Sequence, residues 1–237
     1  MTRAVLFDLD GTLLSIDTDE FLKRYMKNLS LFLHNQYKSV SFEQMIGALM
    51  KATDVVSKRC DGKRTISEIF WEEFCALTSI SYEEYKPIVN QYYTGEFKSI
   101  GKDYKPNDKA LECISLLKDK GVRLILATNP YFPIEAVLTR LQWAGIESDS
   151  FELITHYENM FYTKSHEQYY KDILEMQNLD AQHCIMIGND VKDDLKAANI
   201  GMDCYFLEEM PIYNGQVMES HNRGKFDDLI DYIERTY

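Results

Sequence analysis

Ala4-Val5-Leu6-Phe7-Asp8-Leu9-Asp10-Gly11-Thr12 is the stretch on which the reading of this chain turns. Four apolar residues in a row suit a strand buried on both faces, as in a parallel sheet covered by helices. The two carboxylates that follow stand just past the carboxyl end of that strand, where open α/β sheets place ligands. An acidic turn with a glycine is ordinary by itself; directly after a buried strand it is a far narrower pattern. Further apolar runs recur at Val122 to Ala127, Phe151 to Thr155, Cys184 to Ile187 and Cys204 to Phe206. From about residue 107 they alternate with helical patterns at Asp108 to Lys118, Pro133 to Trp143, Ser165 to Gln177 and Val191 to Asn199. That alternation predicts a doubly wound parallel α/β sheet.

Between the first strand and the second, residues 17–101 contain no convincing strand. Ser41-x-x-Gln44, Thr65-x-x-Glu68 and Ser81-x-x-Glu84 each match a capping box, in which a hydroxyl and a side chain three residues on satisfy backbone donors reciprocally. The expectation is an α/β core of residues 1–16 and 102–237 with an all-helical cap domain, 17–101, inserted in it. Gly95 and Gly101, followed by Pro106, mark the return to the core and offer a hinge. The 16 tyrosines read most simply as half-buried helix faces.

Composition narrows the function classes. The 237 residues carry 26 Lys and Arg against 38 Asp and Glu, a formal net charge of −12, which repels nucleic-acid backbones and anionic lipid surfaces. Neither nucleic acid nor membrane is expected as a partner, and no partner protein is implied. Cys60, Cys75, Cys113, Cys184 and Cys204 are odd in number and never spaced as CxxC, so neither a disulfide framework nor a zinc site is suggested. No apolar run reaches the roughly 18 residues of a spanning helix, and Met1-Thr2-Arg3 leads straight into the first strand. A cytoplasmic protein is the expectation.

Three more motifs stand at or near strand ends. Thr128-Asn129-Pro130 follows Val122 to Ala127, Lys164 opens the Ser165 to Gln177 helix, and Gly188-Asn189-Asp190-Val191-Lys192-Asp193-Asp194 follows Cys184 to Ile187. With Asp8-Leu9-Asp10-Gly11-Thr12 they stand in the order of the four motifs of the haloacid dehalogenase (HAD) superfamily of hydrolases, and the α/β part of the chain resembles that family. The helical insertion between the first and second motifs resembles the C1 type of cap. Most members are magnesium-dependent phosphatases, so the resemblance implies Mg²⁺ as cofactor and a small phosphorylated molecule as substrate. It implies Asp8 as the nucleophile that takes up the phosphoryl group, and Asp10 as the acid and base. Thr128, Asn129 and Lys164 are implied as phosphate contacts. The metal ligands implied are the Asp8 carboxylate, the Asp10 carbonyl and an acid of the fourth motif.

These assignments make physical sense, because phosphoryl transfer asks of a protein mainly a nucleophile, positioning and charge neutralisation. In the fourth motif many relatives have Asp directly after Gly, where this chain has Asn189. Asp190 is taken as the direct ligand, with Asn189 as the rival. If a helix starts near Val191, Asp194 lies on the same face as Asp190 and can hold a metal-bound water. Asp193, one step round, reads as a first-turn residue favoured by the helix dipole. Ser165-His166-Glu167-Gln168 is expected to cap the helix after Lys164, where an ammonium beside the helix start makes an anion site. His166 itself reads as solvated. Tyr157-Glu158-Asn159 reads equally as site lining or as plain surface loop. The cluster Lys58-Arg59-Cys60-Asp61-Gly62-Lys63-Arg64 reads as a solvated turn, with contact to an anionic substrate tail as its rival.

Asp10 separates the chemistries within the family. Dehalogenases and phosphonatases lack an acid at this place, having no alkoxide leaving group to protonate, so a phosphatase is favoured. A phosphosugar mutase of the same superfamily is the enzymatic alternative, and a HAD-like binding protein without turnover the non-enzymatic one.

Overall fold

In a computed structural model of the chain, residues 4–215 and 222–237 are described. Six strands form one parallel sheet: β1 (Ala4–Phe7), β2 (Arg123–Leu126), β3 (Leu153–Ile154), β4 (Cys184–Gly188), β5 (Asp203–Leu207) and β6 (Asn222–Gly224), in the order β3-β2-β1-β4-β5-β6. All four residues of β1 and all five of β4 are buried, the pattern that a central strand covered on both faces requires. The sixth strand has no counterpart among the apolar runs: Asn222-Arg223-Gly224 is polar, and it is tolerated because β6 is an edge strand.

Helices α1 (Thr18–Gln36), α2 (Phe42–Lys58), α3 (Ile66–Thr78) and α4 (Tyr82–Thr94) fill the insertion, as expected of a helical cap. All three capping boxes form, at Ser41, Thr65 and Ser81, and Asp17 caps α1 by accepting from the Glu20 amide at 2.9 Å. Each such cap contributes about 1 kcal/mol. In the core, α5 (Asp108–Asp119), α6 (Ile134–Trp143), α7 (Glu167–Gln177) and α8 (Phe226–Thr236) connect and cover the strands. α5 packs on α8, and α7 on the 3-10 segment Asp194–Ile200. Right-handed crossovers put these two layers on opposite faces, because the chain reverses direction along the sheet between β3 and β4.

Cap and core are joined by an aromatic cluster. Tyr25 of α1 lies 4.9 Å from the ring of Phe132, and Phe97 stacks on Trp143 of α6 at 5.2 Å. Gly101, read as part of a hinge, is buried against Trp143, where a side chain would meet the indole at 2.2 Å. On the other side of the cap, the first turn of α3 is seated on the core: the Ile66 and Ser67 amides donate to the carbonyls of Met160 and Tyr157 at 2.9 and 2.8 Å. Many tyrosines lie deeper than half-buried helix faces; Tyr85, Tyr92, Tyr169, Tyr170 and Tyr205 are almost wholly enclosed.

Two helix starts differ from expectation. Ser165 does not cap α7. Its hydroxyl is 2.8 Å from that of Thr163 inside a turn closed by the His166 amide on the Thr163 carbonyl, and α7 begins one step later, at Glu167, with no side-chain cap. No helix starts at Val191 either. The Asp190 carboxylate accepts from the Lys192 and Asp193 amides at 2.7 and 3.0 Å, which winds residues 190–193 into a turn before the 3-10 segment.

Candidate active site

The strand order reverses between β1 and β4, and the candidate residues gather at the carboxyl ends of these two strands and β2. Ladder pairing fixes the first of them: the Asp8 amide donates to the Ile187 carbonyl of β4 at 2.9 Å, so the nucleophile candidate is held by the sheet itself. Gly11 then turns the chain at φ +83°, and a Cβ there would stand 2.3 Å from the Asn189 amide nitrogen. Only glycine serves on both counts. The Thr12 hydroxyl lies 3.2 Å from both Asp8 Oδ2 and Asn189 Oδ1, tying the first and fourth motifs together.

Lys164 is the electrostatic centre. It is 2% exposed, and its Nζ donates to Asp8 Oδ1 at 2.5 Å and to Asp194 Oδ1 at 2.6 Å. Burial works against its charge, but Asp194 and Asp8 overcome that and hold the ammonium well above its usual range. Burial raises the Asp194 carboxyl, with the ammonium opposing. Lysine at this position is therefore no surface charge.

The other candidates are placed as follows. Asn129 bridges: its Nδ2 donates to Asp193 Oδ2 at 3.1 Å, and its Oδ1 accepts from the Lys164 amide at 3.4 Å. Thr128 is 2% exposed, and its carbonyl accepts from Tyr169 and Thr155 hydroxyls at 2.9 and 2.8 Å. Tyr170 donates to the Asp193 carbonyl at 2.8 Å, so two buried tyrosines of α7 prop the second and fourth motifs from below. Asp190 lies on the wall of the pocket, but its carboxylate is taken up by the Lys192 and Asp193 amides and by Asn214 Nδ2 at 2.9 Å. Both amides sit on Oδ1, so Oδ2, which accepts from Asn214 Nδ2 alone, keeps acceptor capacity toward the pocket. Instead of sharing a helix face with Asp194, Asp190 is joined to it through the backbone: the Asp190 amide donates to Asp194 Oδ2 at 2.9 Å. Asn189 is 2% exposed and anchored by its Nδ2 on the Met210 carbonyl at 2.6 Å, which leaves its oxygen facing Thr12.

Asp10 is held by a residue that the sequence reading passed over. Arg140 of α6 is wholly buried and ion-pairs through Nη1 with Asp10 Oδ2, while its guanidinium lies 4.2 Å from the centre of the Phe132 ring. Burial raises the Asp10 carboxyl above the usual carboxylate range, with the Arg140 charge pulling the other way. Arg140 reads in sequence as an ordinary charged position on a helix, and nothing local marks it. Asp193 was undervalued too. It lines the pocket, contacts Asn129 and keeps one buried oxygen, Oδ1, without a partner. His166 is half-buried, its Nε2 unpartnered, and Tyr157 is buried under α3, where its hydroxyl accepts from Trp71 Nε1 at 3.3 Å. In the basic loop, Arg64 is ion-paired with Asp61 and Glu72, and none of its cations lines the pocket.

The pocket above these groups has a volume of about 590 Å³ and includes Asp10, Asn129, Asn189 and Asp193 in its wall. Its donors toward a cation are all oxygen, the set that suits a hard ion such as Mg²⁺. Among the described residues no three His, Cys, Asp or Glu side chains converge into a ready-made cage. Mg²⁺ does not need one, since it is commonly held by one or two carboxylates with water and substrate phosphate completing the shell. The unpartnered oxygens of Asp10 and Asp193 are further evidence of spare acceptor capacity there. The site fits the ion.

A doubly wound sheet with paired acids and a buried lysine at its switch point, under a helical insertion, makes this a protein of the α/β class with its site at the carboxyl ends of the strands. A family model of haloacid dehalogenase-like hydrolases matches residues 2–200, and the chain belongs to that family. Solved structures share the fold across nearly the whole of both chains. A HAD phosphatase from Thermococcus onnurineus is 16% identical with a TM-score of 0.59 over 98% of each chain. YfnB of Bacillus subtilis, in a magnesium-bound form, is 19% identical with a TM-score of 0.59 over 98% of this chain and 99% of its own. The L-2-haloacid dehalogenase of Xanthobacter autotrophicus is 14% identical with a TM-score of 0.58 over the full length of both. No curated protein matches the chain. Among the described residues no helix is long and apolar enough to cross a membrane.

Proposed function

We propose that the protein is a magnesium-dependent phosphatase of small-molecule phosphomonoesters, acting through an aspartyl phosphate on Asp8, with residues 17–101 as its cap and the cytoplasm as its compartment. The observation that carries this reading is Asp10. It is a second acid two residues from the nucleophile, and burial keeps its carboxyl above the usual range, as proton donation to an alkoxide demands. A dehalogenase has no use for that group.

In the first step an Asp8 oxygen attacks phosphorus in line, the bond from phosphorus to the leaving oxygen breaks, and the Asp10 proton passes to that oxygen. In the second, Asp10 takes a proton from water, which attacks phosphorus and frees inorganic phosphate and the Asp8 carboxylate. Lys164 offsets the charge on Asp8 and on the equatorial phosphoryl oxygens. Asn129 and the Thr128 hydroxyl face the phosphoryl group. The Asp8 carboxylate, the Asp10 carbonyl and the fourth motif, through Asp190 with Asn189 as the rival and Asp194 behind them, would hold Mg²⁺, which would neutralise the repulsion between carboxylate and phosphate.

The test is phosphate release from a panel of metabolite phosphates and p-nitrophenyl phosphate, with and without Mg²⁺ and with Asp8→Asn as control. Release that needs both the metal and Asp8 supports the reading. Wild-type activity in Asp8→Asn overturns the nucleophile, and isomerised hexose phosphate in place of free phosphate would point to a mutase.

A further inference from the structure

The four cap helices enclose a second cavity, of about 390 Å³. Leu22, Met26, Leu29 and Leu33 form one stripe of α1 along it, and Phe70, Trp71 and Phe74 of α3 face it. Its one carboxylate, Asp54, is ion-paired with Lys58 at 2.5 Å, and its other polar groups have partners within the protein as well. The Tyr25 and Tyr93 hydroxyls are 2.6 Å from each other, Trp71 Nε1 is given to Tyr157, and the Thr53 and Ser57 hydroxyls donate to the carbonyls of Leu49 and Asp54 at 2.9 and 2.8 Å. A sugar or an amino acid would find few partners there; a hydrocarbon group would lose nothing. An apolar cavity of roughly 150 Å³ takes up a benzene ring, so this one has room for considerably more.

The cavity shares a wall with the catalytic pocket. Leu22, Tyr131 and Phe132 belong to both. The Phe132 ring carries the guanidinium of Arg140, and through it Asp10, the group that would protonate the leaving oxygen. The two cavities are thus separated by no more than the side chains of Leu22, Tyr131 and Phe132, and a leaving group at Asp10 that displaces one of them reaches the cap.

We propose that this cavity receives the leaving group, and that the substrates are phosphomonoesters of apolar alcohols, alkyl or arylalkyl. The assignment rests on the phosphatase reading and adds the substrate class to it. In loop 58–64, Arg64 is already paired with Asp61 and Glu72.

The experiment is a series of n-alkyl phosphates from methyl to octyl, each below its micelle concentration, hydrolysed by the full chain with Mg²⁺. Each added methylene is expected to lower KM about fourfold until the cavity is filled, with kcat nearly constant, as burial of about 0.8 kcal/mol per methylene requires. Leu49→Trp, which fills part of the cavity, is expected to reduce the preference for octyl over methyl phosphate by at least about tenfold. Should that variant not fold, 1-octanol is the second probe: it inhibits wild-type hydrolysis of p-nitrophenyl phosphate, and triethylene glycol does not. Hydrolysis with a KM flat from methyl to octyl overturns the substrate class and leaves the phosphatase standing. Absence of hydrolysis anywhere in the series and from p-nitrophenyl phosphate overturns both.

Discussion

Replacing Arg140 by Met keeps most of the apolar stem packed in α6 and removes the charge that faces Asp10. Both members of the pair are out of water: Arg140 is fully buried and the Asp10 side chain is 14% exposed. Breaking a buried ion pair from one side costs about 3–5 kcal/mol, because the surviving charge keeps its desolvation penalty and loses its partner. For a chain of this length each kcal/mol moves Tm by about 2–4 °C, so a fall of about 6–20 °C is expected. The measurement is thermal unfolding followed by circular dichroism at pH 7, with Asp10→Asn and the double variant completing a cycle. The double variant is expected to recover most of the loss, since it no longer holds an unpaired carboxylate. Acid should shrink the deficit as well. A carboxyl whose folded-state pKa is raised weakens the fold progressively as the pH rises from its ordinary value of about 3.9 through the folded value, so the penalty fades as the pH falls through that window and is gone below about 3.9. A loss under about 1 kcal/mol in Arg140→Met, or a cycle with no coupling, would refute the claim that the pair is energetically real.

Asp10→Asn should lower kcat/KM, which reports phosphoryl transfer and not hydrolysis of the shared intermediate, by about 10²–10⁴ for alkyl phosphates and far less for p-nitrophenyl phosphate, whose leaving group needs no proton; equal losses in kcat/KM would remove Asp10 from acid catalysis. Gly188→Ala places a Cβ 2.1 Å from Asp194 Oδ2, so steady-state kinetics should show activity lost by more than tenfold while circular dichroism still reports a folded chain. Lys164→Met leaves the Asp8 and Asp194 carboxylates buried without their shared cation, and should destabilise by about 3–5 kcal/mol in denaturant unfolding. Titration of the chelated protein with Mg²⁺ should restore phosphate release and raise Tm as well, since a ligand of the folded state alone stabilises it.

The sheet was legible because a buried parallel strand leaves a local mark: β1 and β4 are apolar on both faces and end in polar turns. The cap helices were legible for a similar reason, since Ser41, Thr65 and Ser81 each complete a box within three residues. What escaped was either non-local or decided by competition. Arg140 and Asp10 are brought together by packing of α6 against the first motif, and neither neighbourhood announces the other. Ser165 has the residues of a cap, but its hydroxyl turns to Thr163. The Asp190 carboxylate is drawn into its own turn by the Lys192 and Asp193 amides, and Asn189 reaches the first motif through Thr12, contacts that depend on how the loop winds. The second cavity was invisible in the same way, because its walls are drawn from four helices and two core loops.

The seating of α3 on the core sets how the site can be entered. The Ile66 and Ser67 amides donate across the boundary between cap and core, so neither can meet solvent until the cap lifts. Their hydrogen–deuterium exchange is therefore a clock for opening, independent of any substrate. If opening limits turnover, their exchange rate and kcat rise together when that contact is weakened, and the protein's speed is set by a latch at the cap boundary and not by the chemical step.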